Sequence, residues 1–316
     1  MPDTDQIDRE LRNAIHQASP EWKYTDYIFP DPGDLARIPQ DPRNPLTPEK
    51  VQLGRWLYHE TGLAKVAVRE EGMLTYSCAS CHLAKAGFQA NRRQGIGEGG
   101  LGFGIAGEGR QKDLRYEDLE LDVQPIRSPS ALNVAYQEVM LWNGQFGATG
   151  PNAGTEAKWT EGTPKAVNHL GYQGVETQAI AGLTVHRMQV DSALVAELGY
   201  KFYFDRSFPK FPQHNRYSLE TAGLAIAAYE RTLMPQNAPF QNWLKGERDA
   251  MTYRQKYGAL LFFSQAGCVN CHQGPAMSGP GFYALGMPDL SGPDVFNVTL
   301  GDDAHLGRGG FTGNPE

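Results

Sequence analysis

Two short segments carry the chemistry that this chain can do. Cys78-Ala79-Ser80-Cys81-His82 recurs once, as Cys268-Val269-Asn270-Cys271-His272. C-x-x-C-H is the pattern by which a protein holds haem covalently: two thiols form thioethers with the porphyrin vinyl groups, and the adjoining His ligates the iron. Two residues between the thiols let one turn of chain span the vinyl edge. A zinc knuckle or a redox C-x-x-C gives no reason for a His to follow both pairs. The chain has four Cys, and the two motifs use all of them, so no disulfide is expected. Cys78, Cys81, Cys268 and Cys271 are read as attachment residues for two covalently bound c-type haems, and His82 and His272 as their iron ligands.

The elements that must present these motifs read as helices and long loops. Residues 5–18 carry Ile7, Leu11, Ala14, Ile15 and Ala18 near helical spacing. The Pro-rich stretch 30–48 reads as an extended surface wrap. Thr47-Pro48 has the form of an N-cap followed by Pro at the first helical position, opening a helix that leads through Leu53, Trp56 and Leu57 toward the first motif. A helix is expected over 176–188, one capped by Asp191 and running to about Tyr200, one capped by Ser218 over 219–233, and one over 252–266 that feeds the second motif. Gly95-x-Gly97-x-x-Gly100 matches a dinucleotide fingerprint in form only, since no strand precedes it and no helix pattern follows. A flexible loop is expected there, and a long insertion loop over 147–174. The fold class is mainly α: two cytochrome c-like haem domains with long irregular loops.

A length of 316 residues allows one large or two modest domains, and two separated haem motifs favour two. The net charge of -7 gives no reason to expect a nucleic-acid partner. No apolar run reaches transmembrane length. The chain begins Met1-Pro2-Asp3-Thr4-Asp5, without a basic n-region and apolar h-region. Covalent haem attachment of this kind normally follows export. The expectation is a periplasmic or otherwise extracytoplasmic protein whose signal peptide is not visible in this chain.

In order along the chain, the motifs resemble those of the bacterial di-haem cytochrome c peroxidase family, which includes the MauG-type enzymes. Leu53-Gly54-Arg55-Trp56-Leu57-Tyr58 is similar to the helix leading into that family's first haem site, which Ser77 through His82 resembles. Arg127-Ser128-Pro129-Ser130-Ala131-Leu132-Asn133 resembles its R-x-P-x-x-x-N segment, Trp142-Asn143-Gly144-Gln145 stands where it has W-D-G-R, and Glu176-Thr177-Gln178-Ala179 where it has E-x-Q-A. Tyr229-Glu230-Arg231-Thr232-Leu233 and Gly267 through Gly274 resemble its second domain.

The resemblance implies a peroxidase that reduces hydrogen peroxide to water. Electrons from a small donor protein, a cytochrome c or cupredoxin, would enter at the C-terminal haem and be used at the N-terminal one. It further implies residues 1–45 as an N-terminal helix and wrap, 46–215 as the peroxidatic domain and 216–316 as the electron-transfer domain, truncated at its C-terminus. A homodimer is an expectation of the same kind. The interhaem Trp role falls on Trp142.

Three departures from the pattern matter. The family's distal acid-base Glu stands just before a Met, where this chain has His186-Arg187-Met188. A neutral His can take a proton from one peroxide oxygen and return it to the other, and a neighbouring Arg can stabilise developing negative charge, as in plant-type and fungal peroxidases. His186 is therefore assigned as proton shuttle, Arg187 as electrostatic support and Gln178 as an orienting donor, with Glu176 the nearest carboxylate by sequence if the pair fails. Second, no His lies between His82 and His169, so the loop after the first motif cannot supply a blocking ligand, and an open first haem is expected. Third, the chain ends before the place where the family's second distal ligand lies; Met277 and Met287 are closer candidates, read as structural. The family's interdomain calcium draws on that same region and on a polar residue near 127, where an Arg does not favour calcium. His16, His59, His169, His214 and His305 have no motif support. The alternatives are a MauG-like enzyme oxidising a protein substrate, and a di-haem electron carrier without catalysis.

Overall fold

The computed structural model describes residues 4–18, 23–279, 281–296 and 303–314. The first residues, on which the reading of the leader rests, lie outside them up to Asp3. The elements in order are α1 (Thr4–Ala18), α2 (Pro48–His59), β1 (Gly100–Leu101), β2 (Gln111–Lys112), α3 (Gly174–Val185), α4 (Ser192–Glu197), α5 (Lys201–Ser207), α6 (Leu219–Arg231), α7 (Pro239–Leu244), α8 (Tyr253–Phe263) and α9 (Gly307–Thr312). The rest is extended chain and short 3-10 turns. β1 and β2 pair antiparallel and are the only sheet among the described residues. The mainly α class holds. No helix among them is long and apolar enough to cross a membrane.

Contacts divide the chain into two units. The smaller joins Met1–Ile38 to Met234–Tyr283, and the larger joins Pro39–Leu233 to Ala284–Glu316. This differs from a division at 215/216: α6 packs on α2 and α3, and so goes with the first motif. The N-terminal helix goes with the second.

In the smaller unit, α1 lies on α8 and buries Leu11 and Ile15, one turn apart, with Trp243, Leu244 and Phe263. Buried Asp8 on α1 accepts from Trp243 Nε1 at 2.7 Å and pairs with Lys256 Nζ at 2.8 Å. Burial opposes that charge, but these donors hold the Asp8 carboxyl below its ordinary range. α8 ends before Gly267, whose φ of +66° suits a residue without Cβ, and the chain turns directly into Cys268.

The larger unit is built around α6, every residue of which from Thr221 to Arg231 is buried. A helix apolar almost all round has to be covered on more than one side. α2 covers it at Gly54, where a Cβ would stand 1.8 Å from the Ala225 carbonyl oxygen; α3 covers it at Gly223, where a Cβ would stand 2.5 Å from Ile180. The caps read from sequence are present. Thr47 accepts from Lys50 N at 3.3 Å, Asp191 from Ala193 N and Leu194 N at 2.9 Å each, and Ser218 and Thr221 exchange backbone bonds. The helix begun at Asp191 does not reach Tyr200: it stops at Glu197, and Gly199 takes a φ of +78° before α5 begins. The Gly-rich stretch is not a free loop. It forms the β1–β2 hairpin, and buried Arg110 donates to the carbonyls of Ile96, Gly97 and Gly102. The 147–174 loop is stapled by buried Asn152, which donates to the carbonyls of Gly144 and Gly147, and by Asn168, which bonds Gly147 N and Gln145 O.

α3 and α6 are joined by an ion pair without water. Glu176 and Arg231 are both 0% exposed; Arg231 Nε and Nη2 reach the two carboxylate oxygens at 2.8 and 2.6 Å. The remaining guanidinium bonds go to Pro39 O and Gln173 Oε1, and Asn44 also donates to Glu176. The next carboxyl along, Glu230, is buried with no hydrogen-bond partner for its Oε2. Burial, and then the charge of Glu176, push its pKa up to about 8, against the opposing effect of Arg231.

Removing one partner of a buried pair strands the other charge, which costs about 3–5 kcal/mol. Glu176→Gln and Arg231→Leu should each lower the urea midpoint by that much stability, and the double change should recover a large part of it. Near-additive losses would show that the two residues do not act as a pair. A pH dependence follows from Glu230. The folded chain keeps its proton up to pH about 8, whereas the unfolded chain loses it near 4.5. Between those values the folded state holds the extra proton, so stability falls as pH rises. Glu230→Gln should flatten that decline, measured by thermal unfolding across the window; an unchanged slope would count against a neutral Glu230.

Candidate haem cavity

The first motif is one 3-10 turn, Cys78–Ser80, closed at its start by Ser77 and Ser80. Its last turn brings the amide of His82 onto the Cys78 carbonyl at 3.0 Å. The His82 ring is then fixed from behind, with Nδ1 3.1 Å from the Phe88 carbonyl oxygen. A carbonyl can only accept, so Nδ1 carries the proton and Nε2 keeps its lone pair, the form in which imidazole binds a metal. Burial pushes His82 below its ordinary pKa, although the Phe88 carbonyl works the other way, which keeps the ring neutral. The second motif repeats the arrangement: a turn at Cys268–Asn270, the His272 amide on the Cys268 carbonyl at 3.0 Å, and Nδ1 3.0 Å from the Met277 carbonyl oxygen. The acceptor residues match as well, Phe88 at φ +56° and Met277 at φ +51°. Met277 thus serves through its backbone while its side chain packs on the smaller unit's core, and Met287 is 68% exposed.

Cys78, Cys81 and His82 line a cavity of about 380 Å³ in the larger unit. Much of its wall is apolar, with Ile126, Leu141, Phe146, Leu183, Met188 and Ile226. No disulfide joins any of the four cysteines. Burial first, with the Glu230 charge second, lifts Cys78 to about 12, and burial lifts Cys81 to about 12, so both are neutral thiols rather than the thiolates of a redox pair. Among the described residues no three His, Cys, Asp or Glu side chains converge as a metal cluster, which is not the geometry of a zinc knuckle. Two thiols beside a tautomer-fixed His on an apolar wall fit a haem held by thioethers and one axial imidazole.

The polar part of the wall comes mainly from α3. Gln178, Gly182 and His186 stand four residues apart and share one helix stripe, and all three line the cavity. His186 caps α3 and turns its Nδ1 onto Asp122, 3.0 and 2.9 Å from the two carboxylate oxygens. Asp122 is buried, lines the cavity, and is held by backbone bonds to Gly97 and Glu98. Burial opposes a charged His186, but Asp122 outweighs it and raises the His186 pKa, with Arg187 acting the other way. Sequence reasoning missed Asp122, which is 64 positions from His186; its one signal is an acid inside Leu121-Asp122-Val123.

Not every residue singled out from sequence reaches the cavity. Arg187 does not line it: at φ +56° it turns away and donates to buried Glu98 and to the Glu120 carbonyl. Glu98 also accepts from Val68 N and Arg69 N, so Arg187 neutralises a buried carboxylate that ties down the 68–72 turn. Glu176 is consumed by Arg231, and the carboxyl that lines the cavity instead is Glu230. Trp142 is 53% exposed and outside the lining, between Leu141 and Asn143, which are part of it. His169 bonds the Trp159 carbonyl and is also outside.

Several characterised proteins are similar to this chain. Cytochrome-c peroxidase IdrP1 of Denitromonas iodatirespirans is 29% identical over 280 residues, 87% of this chain and 60% of that protein. Cytochrome c peroxidase Ccp of Escherichia coli strain K12 is 28% identical over 250 residues, 79% of this chain and 42% of that protein. The methylamine utilization protein MauG of Methylorubrum extorquens is 26% identical over 274 residues, 87% of this chain and 60% of that protein. The chain therefore spans 60% or less of the length of these relatives. Residues 48–249, well over half of the chain and including the first C-x-x-C-H, match the family described as di-haem cytochrome c peroxidase, so the chain belongs to that family, whose cofactors are c-type haems.

Proposed function

We propose that the protein reduces hydrogen peroxide to water with two covalently attached c-type haems, one on Cys78, Cys81 and His82 and one on Cys268, Cys271 and His272. Electrons come from a small redox protein, a cytochrome c or cupredoxin, by way of the second haem. The observation that carries this reading is the His186–Asp122 pair, lining the same cavity as the first attachment motif. When bound, the haem supplies the redox-active iron that takes peroxide. The protein supplies the proton handling. Gln178 offers an amide to orient the oxidant. His186 has Nδ1 committed to Asp122, so Nε2 is the nitrogen that takes a proton from one oxygen and returns it to the other. Asp122 holds the tautomer and stabilises the charge that the ring gains. Arg187 acts on His186 only through its charge, from outside the cavity. The proposed covalent attachment supports a periplasmic or equivalent compartment, since haem attachment of this kind normally follows export.

A second reading, MauG-like oxidation of a protein substrate, is favoured by one observation: Trp142 presents a half-exposed indole next to cavity-lining Leu141 and Asn143. In a third, a plain electron carrier, His186 would fill the remaining axial position. A first haem that stays low-spin and inert to peroxide in both the resting and the one-electron-reduced protein, and becomes high-spin in His186→Ala, would favour that reading over the peroxidase.

Expression with an export leader and haem-maturation machinery should give two covalent haems per chain by staining on a denaturing gel. Cys78→Ser and Cys268→Ser should each weaken or remove one, and a colourless product would end the proposal. His186→Ala should slow single-turnover peroxide cleavage by about 10²- to 10⁴-fold, while the second haem is still reduced normally. The base is the neutral ring, so cleavage should quicken as pH rises through the His186 pKa. Asp122→Asn removes the carboxylate that raises this pKa, and should move that rise to lower pH while lowering the plateau. An unmoved profile would separate Asp122 from the reaction.

A further inference from the structure

Gly182 lies inside α3, between the two polar residues that line the cavity from that helix. Its backbone is ordinary helix, so no left-handed conformation calls for glycine there. Glycine within a helix is less favourable than alanine, because it loses more chain freedom on folding. Nor does packing demand it. At Gly54 and Gly223 a Cβ would run into a neighbouring helix, 1.8 and 2.5 Å from the nearest atoms. At Gly182 it would meet just two atoms within 4 Å: Gln178 Nε2 at 3.6 Å and His186 Cδ2 at 3.9 Å, both ordinary contacts. The fold would accept a side chain at 182. What a side chain would occupy is the space between the Gln178 amide and the His186 ring.

The geometry points to Gly182 as a residue that determines which oxidant the cavity admits: its missing side chain keeps open a slot between Gln178 and His186, in which the oxidant and any substituent on it must lie to reach both polar groups. This rests on the proposed peroxidase reading and adds a limit on the size of its substrate. A residue at 182 with a methyl group narrows the slot, and one with a branched chain closes it. Bulky hydroperoxides are excluded before hydrogen peroxide is.

The test uses the full-length holoprotein with Gly182→Ala and Gly182→Leu. Haem content should stay at the parent value in the Ala variant, and its thermal midpoint should rise or stay level. Binding of imidazole to the ferric first haem and turnover with tert-butyl hydroperoxide should fall about tenfold or more (about 1.4 kcal/mol) in Gly182→Ala. Cyanide binding and turnover with hydrogen peroxide should change far less, and should fall in Gly182→Leu. Equal losses for small and bulky probes, or no loss, would overturn the proposal. Lost haem incorporation in Gly182→Ala would overturn it too, since Gly182 would then be making room for the porphyrin. If the parent protein proves not to cleave peroxide, the peroxidase reading falls by itself, and the contrast between cyanide and imidazole still decides the role of Gly182.

Discussion

The arrangement of the larger unit depends on two opposite charges held where water cannot reach them. Glu176 and Arg231 are completely buried, and each has other hydrogen bonds that finish its coordination, to Asn44, Gln173 and the Pro39 carbonyl. Such a pair contributes little net stability against an apolar alternative, but it tolerates almost no displacement, since any slip leaves a charge in a low dielectric. It therefore fixes the register of α3 against α6. That register sets where Gln178, Gly182 and His186 emerge on α3 and where Ile226 and Glu230 emerge on α6. The close approaches at Gly54 and Gly223 complete the constraint by bringing three helix backbones nearly into contact.

The unpartnered carboxyl next to this pair follows from the same electrostatics. One negative charge is already stationed at Glu176, and its positive partner is fully engaged there. A second carboxylate at Glu230 would find burial, a like charge and no free donor, so it keeps its proton. The cavity wall thus presents a neutral acid at Glu230 and a cationic or neutral ring at His186, whose pKa Asp122 raises. Both groups are shifted the same way, the carboxyl by burial and a like charge and the ring by a neighbouring anion, so each holds its proton to higher pH than it would in water.

Local signals were legible in the sequence because they act within a few residues. The caps at Thr47, Asp191 and Ser218, the amphipathic N-terminal helix and both attachment turns lie where their own neighbours put them. Signals that depend on distant partners were not legible. Backbone bonds with Gly97 and Glu98 hold Asp122 beside His186, Glu98 draws Arg187 away from the cavity, and Arg110 converts a run of glycines into a pinned hairpin. A side chain's type shows what it can bond, but not which of several acceptors tertiary folding brings nearest. The same limit explains Glu176, which is the first residue of the E-x-Q-A match and yet faces α6 instead of the cavity.

The imidazoles of the two attachment motifs and the one that caps α3 each have an acceptor behind Nδ1, and they differ in what that acceptor is. Behind His82 and His272 stands an uncharged peptide oxygen; behind His186 stands an anion. A peptide dipole polarises the N–H bond modestly, so the opposite nitrogen remains a moderate electron donor. An anion makes the opposite nitrogen markedly more basic and gives the cation a counter-ion in place. One amino acid is thereby made into two reagents, a metal ligand of restrained donor strength and a Brønsted base with a built-in counter-charge. Exchanging the two kinds of acceptor would exchange the kinds of reagent, with every ring left where it is.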